Sequence, residues 1–495
     1  MTTLKSFDAR TGQPIDPPVG HPLLATTPEQ LDAIAQAAAA AAPIWAASDG
    51  AVRARLLDAL ATALEAQREE LVALADAETG LGPARLQGEL DRTAFQLRRF
   101  GRMAQDGVPF RHVDDPAVAG AAPVGHPAML RVRVPLGPVA MFAASNFPFA
   151  FSVLGGDTAA ALAAGCPVVV KAHNGHLLLA GRVFALIQAV LKAQGLPAGL
   201  IGLVQGEGNA IGTQLIRHPA IAAGAFTGST RGGAALQAEA SARPRPIPFY
   251  GELGSVNPVI ALPHALRAKG AELAATLAGS ITLGSGQFCT SPGVIVLLDD
   301  PASDAFVQQL TTALVAQQPH AMLTPGLRQA FDAGVGRWTQ AGVQPLLLEA
   351  ADAAEPPRPV LAQVDAARFI GTPQLHDEVF GPASLIVRAH SVAEVVQVLQ
   401  ALGGSLTVTL WGAGEESADT QALVRAAMQM AGRVLFAGVP TGVAVTAAQQ
   451  HGGPWPSSTQ PLSTSVGDAA LDRFLRPVAL QDMPAWLAAR AGRPV

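Results

Sequence analysis

The sequence predicts an α/β fold with a doubly wound parallel sheet. Two observations predict it. From Gly137 onward, short apolar strands alternate with helices at the spacing of βαβ units. The polar, glycine-rich segments fall just after the strands, where sheets of this kind bind ligands. At 495 residues the chain is also long for one core, so two or three domains are expected.

The elements follow in order. Thr27-Pro28-Glu29-Gln30 supplies an N-cap, a proline at N1 and a capping-box glutamine at N3. The alanine-rich stretch 33–42 then reads as a close-packed helix. A second helix carries Leu57, Leu60, Leu64, Leu71 and Leu74 at roughly helical spacing. Residues 129–134 alternate apolar and charged side chains, as a half-exposed strand does. Strands are then expected over 139–143, 167–171, 200–204 and 223–226. Helices should run through Ala164, over about 176–194 and after Gly228. Residues 452–467, rich in Pro and Ser, read as a long functional or interfacial loop.

Composition excludes several classes of function. A net charge of −5 and a pI near 6.1 leave no basic face for nucleic acid. Two cysteines cannot build a disulfide framework, which points to a reducing, cytoplasmic setting. The first eight residues lack the apolar segment of a signal peptide. The apolar run 134–151 contains Pro135, Pro138, Asn146 and Pro148, which would break a spanning helix, so no membrane association is expected. The eleven histidines are scattered, and no His/Cys/Asp group has metal-ligand spacing.

The chemistry concentrates in a few segments. In Gly284-Ser285-Gly286-Gln287-Phe288-Cys289-Thr290, glycines let the backbone approach a ligand around a thiol. Cys289 is the nucleophile candidate, since a thiolate attacks carbonyl carbon well; the competing reading is a small buried hydrophobe, which suits Cys166. Glu252, between two glycines, is either a carboxylate held by structural bonds or a general base. Asn146 can donate to an oxyanion or stabilise its own turn. Lys171 ends a buried strand, where an ammonium needs a partner such as a ligand hydroxyl or phosphate. Gly228-Ser229 opens a helix straight after a strand, a seat for a pyrophosphate, although the G-x-G-x-x-G fingerprint is absent.

Taken together with Glu378-Val379-Phe380-Gly381-Pro382, these segments resemble the NAD(P)-dependent aldehyde dehydrogenase superfamily over nearly the whole chain. The resemblance implies two doubly wound Rossmann-like domains and a small β oligomerisation arm. It places the cofactor-binding domain at 1–126 and 139–254, the catalytic domain at 255–468, and the arm at 127–138 and 469–495. It implies that Cys289 attacks an aldehyde, that Asn146 and the Cys289 N–H hold the oxyanion, and that Glu252 activates the hydrolytic water. Lys171, with His173 and Asn174 close by, would bind the adenosine ribose side of NAD or NADP, Gly228 and Ser229 the pyrophosphate, and Glu378 with Phe380 the nicotinamide ribose. Phe147, Phe151 and Phe288 would wall the substrate tunnel.

Within the superfamily, the stretches 145–153, 242–250, 451–456 and 463–467 are similar to the α-ketoglutaric semialdehyde (2,5-dioxopentanoate) dehydrogenase group. They are also similar to NADP-dependent fatty aldehyde dehydrogenases, and a CoA-acylating relative is a further alternative. Two departures stand out. The motif Glu-Leu-Gly-Gly-Lys appears as Glu252-Leu253-Gly254-Ser255-Val256, and Asn174 replaces the glutamate frequent in NAD-preferring relatives. Loss of that carboxylate removes repulsion against a 2′-phosphate, so NADP should be accepted and weakly preferred. A diacid-type substrate needs a cation near the tunnel mouth, for which Arg98, Arg99 and Arg102 are the expected candidates; the same three also suit a solvated helix face. A homodimer or tetramer is expected.

Overall fold

The computed structural model describes residues 2–17, 22–349, 352 and 355–494; the outermost residues of the first domain and of the arm, Met1 and Val495, lie outside them. Its N-terminal helices pack around the first of two parallel sheets. Helix Pro28–Ala46 starts with the expected capping box, Thr27 and Gln30 satisfying each other's backbone N–H groups. The leucine-rich stretch, expected as one helix, forms two: Gly50–Ala66 and Arg68–Thr79. The break falls at Gln67, whose φ of −110° and ψ of 20° leave the helical region. The apolar period continues across it because both helices bury leucines in the same core. Helix Pro83–Gln105 then packs against Gly50–Ala66.

The first sheet has five parallel strands, ordered Ile201–Val204, Val168–Lys171, Val139–Phe142, Ala223–Thr227 and Phe249–Glu252. The chain winds outward from Val139–Phe142 in one direction and then returns to build the other. That reversal is a topological switch point, where the strand ends splay and leave a crevice. Asn146, Lys171, Gly228 and Glu252 all stand at this carboxyl edge.

The second sheet has seven strands, ordered Gln344–Leu347, Val360–Asp365, Ala383–Ala389, Val294–Leu298, Val259–Ala261, Ser405–Trp411 and Ala431–Leu435. All pairs are parallel except the first. The loops that enter its strands carry Cys289, Glu378 and Ser255. The two sheets therefore meet carboxyl edge to amino edge.

Met129–Pro135 lies between Val113–Asp115 and Leu475–Gln481 in a three-stranded antiparallel sheet. Residues 129–134, expected as a half-exposed strand, and the C-terminal stretch thus share one sheet. Among the described residues, no helix is long and apolar enough to cross a membrane.

Candidate active site

The loop that carries Cys289 is fixed from both sides. Gly286 has φ +66°, and a Cβ there would collide with the carbonyl of Gly381, so only glycine lets the two loops approach. The Gln287 side chain braces the same loop: its Nε2 donates to the Gly284 carbonyl (2.9 Å) and its Oε1 accepts from the Leu323 N–H (3.0 Å). From below, the fully buried Asn257 donates to the carbonyls of Cys289 and Ser291, both at 2.9 Å. Its Oδ1 accepts from the hydroxyls of Ser255 (2.8 Å) and Thr407 (3.1 Å).

Above that loop, Cys289, Glu252 and His451 bring a sulfur, a carboxylate oxygen and a ring nitrogen within 4.8 Å of one another. His451 Nε2 is 3.0 Å from Glu252 Oε1 and 3.5 Å from Cys289 Sγ. Ser465 donates its hydroxyl to the other Glu252 oxygen. Burial alone would raise the Glu252 pKa. The positive character of His451 and the donors His451, Ser465 and Cys289 outweigh it and hold the carboxyl below its ordinary value. Burial and the charge of Glu252 push the Cys289 thiol well above its ordinary value. The resting site thus keeps the proton on sulfur, hydrogen-bonded to an ionised base.

Loop 452–467 does reach this site. It runs beside Phe249–Glu252, with Leu253 donating to the Ser457 carbonyl (2.8 Å) and Thr459 to that of Gly251 (3.0 Å). His451 and Ser465 escaped sequence reasoning because 199 and 213 residues separate them from Glu252. The one signal was their place at the two ends of the segment already singled out.

Asn146 sits across the pocket, its Nδ2 donating to the Gln287 carbonyl at 3.0 Å. One amide hydrogen is thereby fixed two residues from Cys289 and the other stays available. The Phe147 ring lies 5.4 Å from Phe151 and 5.3 Å from Phe288, edge to face. These rings, with Val443, Val445 and Val466, make an apolar wall. Cys166 is fully buried against the Phe474 carbonyl (3.4 Å), and burial raises its thiol to about 11.

The crevice of the first sheet has the donor set for a dinucleotide. Lys171 Nζ donates to Asn174 Oδ1 at 3.0 Å, and burial lowers its pKa to about 8. His173 accepts from the Gly175 N–H at 3.0 Å. Ser229 caps the helix Thr230–Ser241 directly after Gly228. The Thr227 hydroxyl at the strand end is buried with no partner among the described residues, as a polar group awaiting a ligand would be. Glu378 lies so close to Gly254 that a Cβ there would stand 2.5 Å from its carboxylate oxygen. Burial raises the Glu378 pKa to about 7. Phe380 stands two residues beyond it, partly buried.

The arginines expected at the tunnel mouth are placed elsewhere. Arg98 pairs with Asp58 (2.8 Å) and Glu65 (2.6 Å), and Arg99 with Asp468 (2.5 Å); Arg102 is exposed. They follow the site by two helical turns, about 10 Å along the axis from Arg92 to Arg99. Arg85 and Arg92 are the arginines of this helix that reach the pocket. Arg85 donates to the Asn146 carbonyl at 2.6 Å, and Arg92 lies close enough to lower the Cys289 pKa.

Residues 10–477 match the model of the aldehyde dehydrogenase family. The chain is 44% identical to α-ketoglutaric semialdehyde dehydrogenase 2 of Azospirillum brasilense, over 97% of this chain and 92% of the relative. It is 38% identical to α-ketoglutaric semialdehyde dehydrogenase of Acinetobacter baylyi, over 97% and 91%. Among solved structures, PnpE in complex with nicotinamide adenine dinucleotide superposes with a TM-score of 0.80 at 22% identity, covering 98% of this chain and 95% of that one. With a thiol, a base and an amide donor converging beside a dinucleotide crevice, the chain belongs to the aldehyde dehydrogenase family.

Proposed function

We propose that this protein oxidises 2,5-dioxopentanoate to 2-oxoglutarate with NAD(P), through covalent catalysis at Cys289. The convergence of Cys289, Glu252 and His451 within 4.8 Å carries the reaction class. The two near-full-length relatives named for α-ketoglutaric semialdehyde carry the substrate.

Glu252 takes the thiol proton, and the sulfur attacks the aldehyde carbon. The oxyanion of the resulting thiohemiacetal accepts from Asn146 Nδ2 and from the Cys289 backbone N–H. Asn146 is already oriented by its bond to Gln287 and by Arg85 at its carbonyl, so little reorganisation is needed. Bound NAD(P) supplies the hydride acceptor that converts this adduct to a thioester. Once its first proton has passed to solvent, Glu252 deprotonates a water that attacks the thioester, and the adduct collapses to the acid and a thiolate that regains its proton from Glu252. His451 and Ser465 hold the carboxylate oriented and ionised for both proton transfers. A buried base beside the thioester argues against CoA as the acyl acceptor.

For the cofactor, Lys171 and His173 bind the adenosine side, the Gly228-Ser229 helix start the pyrophosphate, and Glu378 with Phe380 the nicotinamide ribose. Asn174, bonded to Lys171, puts no carboxylate against a 2′-phosphate, which supports use of NADP. We assign 1–126 with 139–254 to cofactor binding, 255–468 to catalysis, and 127–138 with 469–495 to assembly as a homodimer or tetramer in the cytoplasm. The strand that flanks this arm, Val113–Asp115, is exposed along its length, an edge that pairing would cover.

Steady-state kcat/KM for 2,5-dioxopentanoate, succinic semialdehyde and a medium-chain aldehyde, each with NAD and NADP, tests the reading. A clear preference for 2,5-dioxopentanoate is expected. The apolar wall of Phe147, Phe151 and Phe288 favours the second reading, and a preference for the medium-chain aldehyde would replace the first with it.

A further inference from the structure

Helix Pro83–Gln105 turns a charged stripe toward the active site. Arg85, Glu89 and Arg92 stand at i, i+4 and i+7, one face of a helix. Glu89 accepts the N–H groups of Phe149 (2.8 Å) and Ala150 (3.0 Å), which fixes the turn after Asn146. Arg85 stacks on the tunnel wall, its guanidinium carbon 4.6 Å from the Phe288 ring centre and 5.2 Å from that of Phe147. Each of these two residues thus has a task in holding the pocket.

Arg92 is different. One of its terminal nitrogens donates to the carbonyl of Val443, a residue of the apolar wall. Its charge is felt by both Cys289 and Glu252. Its Nε is shielded from water and has no partner among the described residues. From the strand Ala431–Leu435, Arg433 braces the same turn, donating to the carbonyls of Gly442 (2.9 Å) and Pro440 (2.6 Å), and its Nε is likewise buried and unpaired. A buried guanidinium with an unused N–H is costly on its own. It is matched by a carboxylate, which accepts two parallel N–H bonds from one arginine. An uncharged alkyl tail would leave both groups unpaired.

We propose that Arg92 binds the carboxylate at the far end of the substrate, with Arg433 as a second cation behind the 440–443 turn. The inference rests on the reading of the substrate as a short aldehyde that carries an acid group. It assigns specificity to a residue six positions before the expected Arg98, on the inner face of the same helix.

The test is the ratio of kcat/KM for 2,5-dioxopentanoate to that for pentanal in wild type, Arg92→Met and Arg92→Lys. The methionine should lower the ratio roughly 10- to 100-fold, the scale of charge-assisted hydrogen bonds lost to a buried ion. Lysine should fall between, since it keeps the charge but not the fork. An unchanged ratio overturns the inference, whether both rates hold or both fall together. A second measurement needs no variant: glutarate should compete with pentanal in the wild-type enzyme far better than 1-pentanol does, and equal inhibition also overturns it. If wild type itself prefers pentanal, the substrate reading fails, and glutarate competition still judges Arg92.

Discussion

Replacing Asn257 by alanine tests whether the Cys289 loop is held from beneath. Four groups would lose their partner: the carbonyls of Cys289, Ser291 and Ser255 and the Thr407 hydroxyl. The Ser255 hydroxyl keeps Ser405 and the Leu406 N–H, so it is left out of the sum. At the lower end of about 1–3 kcal/mol for each buried unsatisfied group, because water can enter the space, the loss is about 4 kcal/mol. Asn257 also has φ +46°, a conformation asparagine tolerates and alanine resists. For a cooperative unit of roughly 150–250 residues this lowers the thermal midpoint on the order of 10 °C. A shift of the thiol by about 1 Å costs on the order of 100-fold in kcat/KM. Calorimetry and initial rates of cofactor reduction at subsaturating substrate measure the two effects. A midpoint within about 2 °C of wild type, together with kcat/KM within about threefold, would refute the claim that Asn257 sets the loop.

Three further outcomes follow from the proposed chemistry. Cys289→Ala should abolish turnover and leave NADP binding intact by fluorescence titration; retained turnover removes the covalent step. Glu252→Gln should slow hydrolysis of the acyl-enzyme more than the hydride burst, and an unchanged steady-state rate rules out the base role. The kcat/KM for cofactor should be greatest between pH 7 and 8. Below about 7 Glu378 becomes protonated and loses its power to accept from a ribose, and above about 8 Lys171 loses its proton and charge. In Glu378→Gln the acid limb should vanish while the alkaline limb remains.

Local signals carried much of the fold. The Thr27 cap, the alternation of 129–134 and the strands that end at Lys171 and near Phe226 were legible because capping and periodicity are written in neighbouring residues. Cys289, Glu252 and Asn146 were legible as candidates because each stands close to a glycine or proline, at a strand end or in a loop. Gln67 was not, since a helix break without Gly or Pro leaves no mark when the apolar period runs through it. Arg92 escaped for the opposite reason. Its carbonyl partner, Val443, is 351 residues away, and a charged side chain on a helix reads from sequence as a solvated face. The need for a cation at the tunnel mouth drew Arg98, Arg99 and Arg102 toward it, whereas each stands at or near the surface, as their alternative reading as a solvated face has it.

The charges around Cys289 explain why the reaction needs a cation in the pocket. Glu252 and Glu378 both raise the thiol pKa, and Arg92 is the group that opposes them. A substrate bearing a carboxylate brings another anion to this neighbourhood. Left uncompensated, it would make the thiolate still harder to form and would itself be poorly solvated in a water-poor site. With Arg92 paired to the incoming acid, the guanidinium offsets the acid's charge as seen from the sulfur, although the pairing also uses up the help that Arg92 gives the thiolate in the free enzyme. An arginine is suited to this task where a lysine is not, because its charge persists under desolvation while a buried ammonium gives up its proton, as the lowered pKa of Lys171 illustrates. Substrate selection and support of the nucleophile then draw on one partly buried guanidinium.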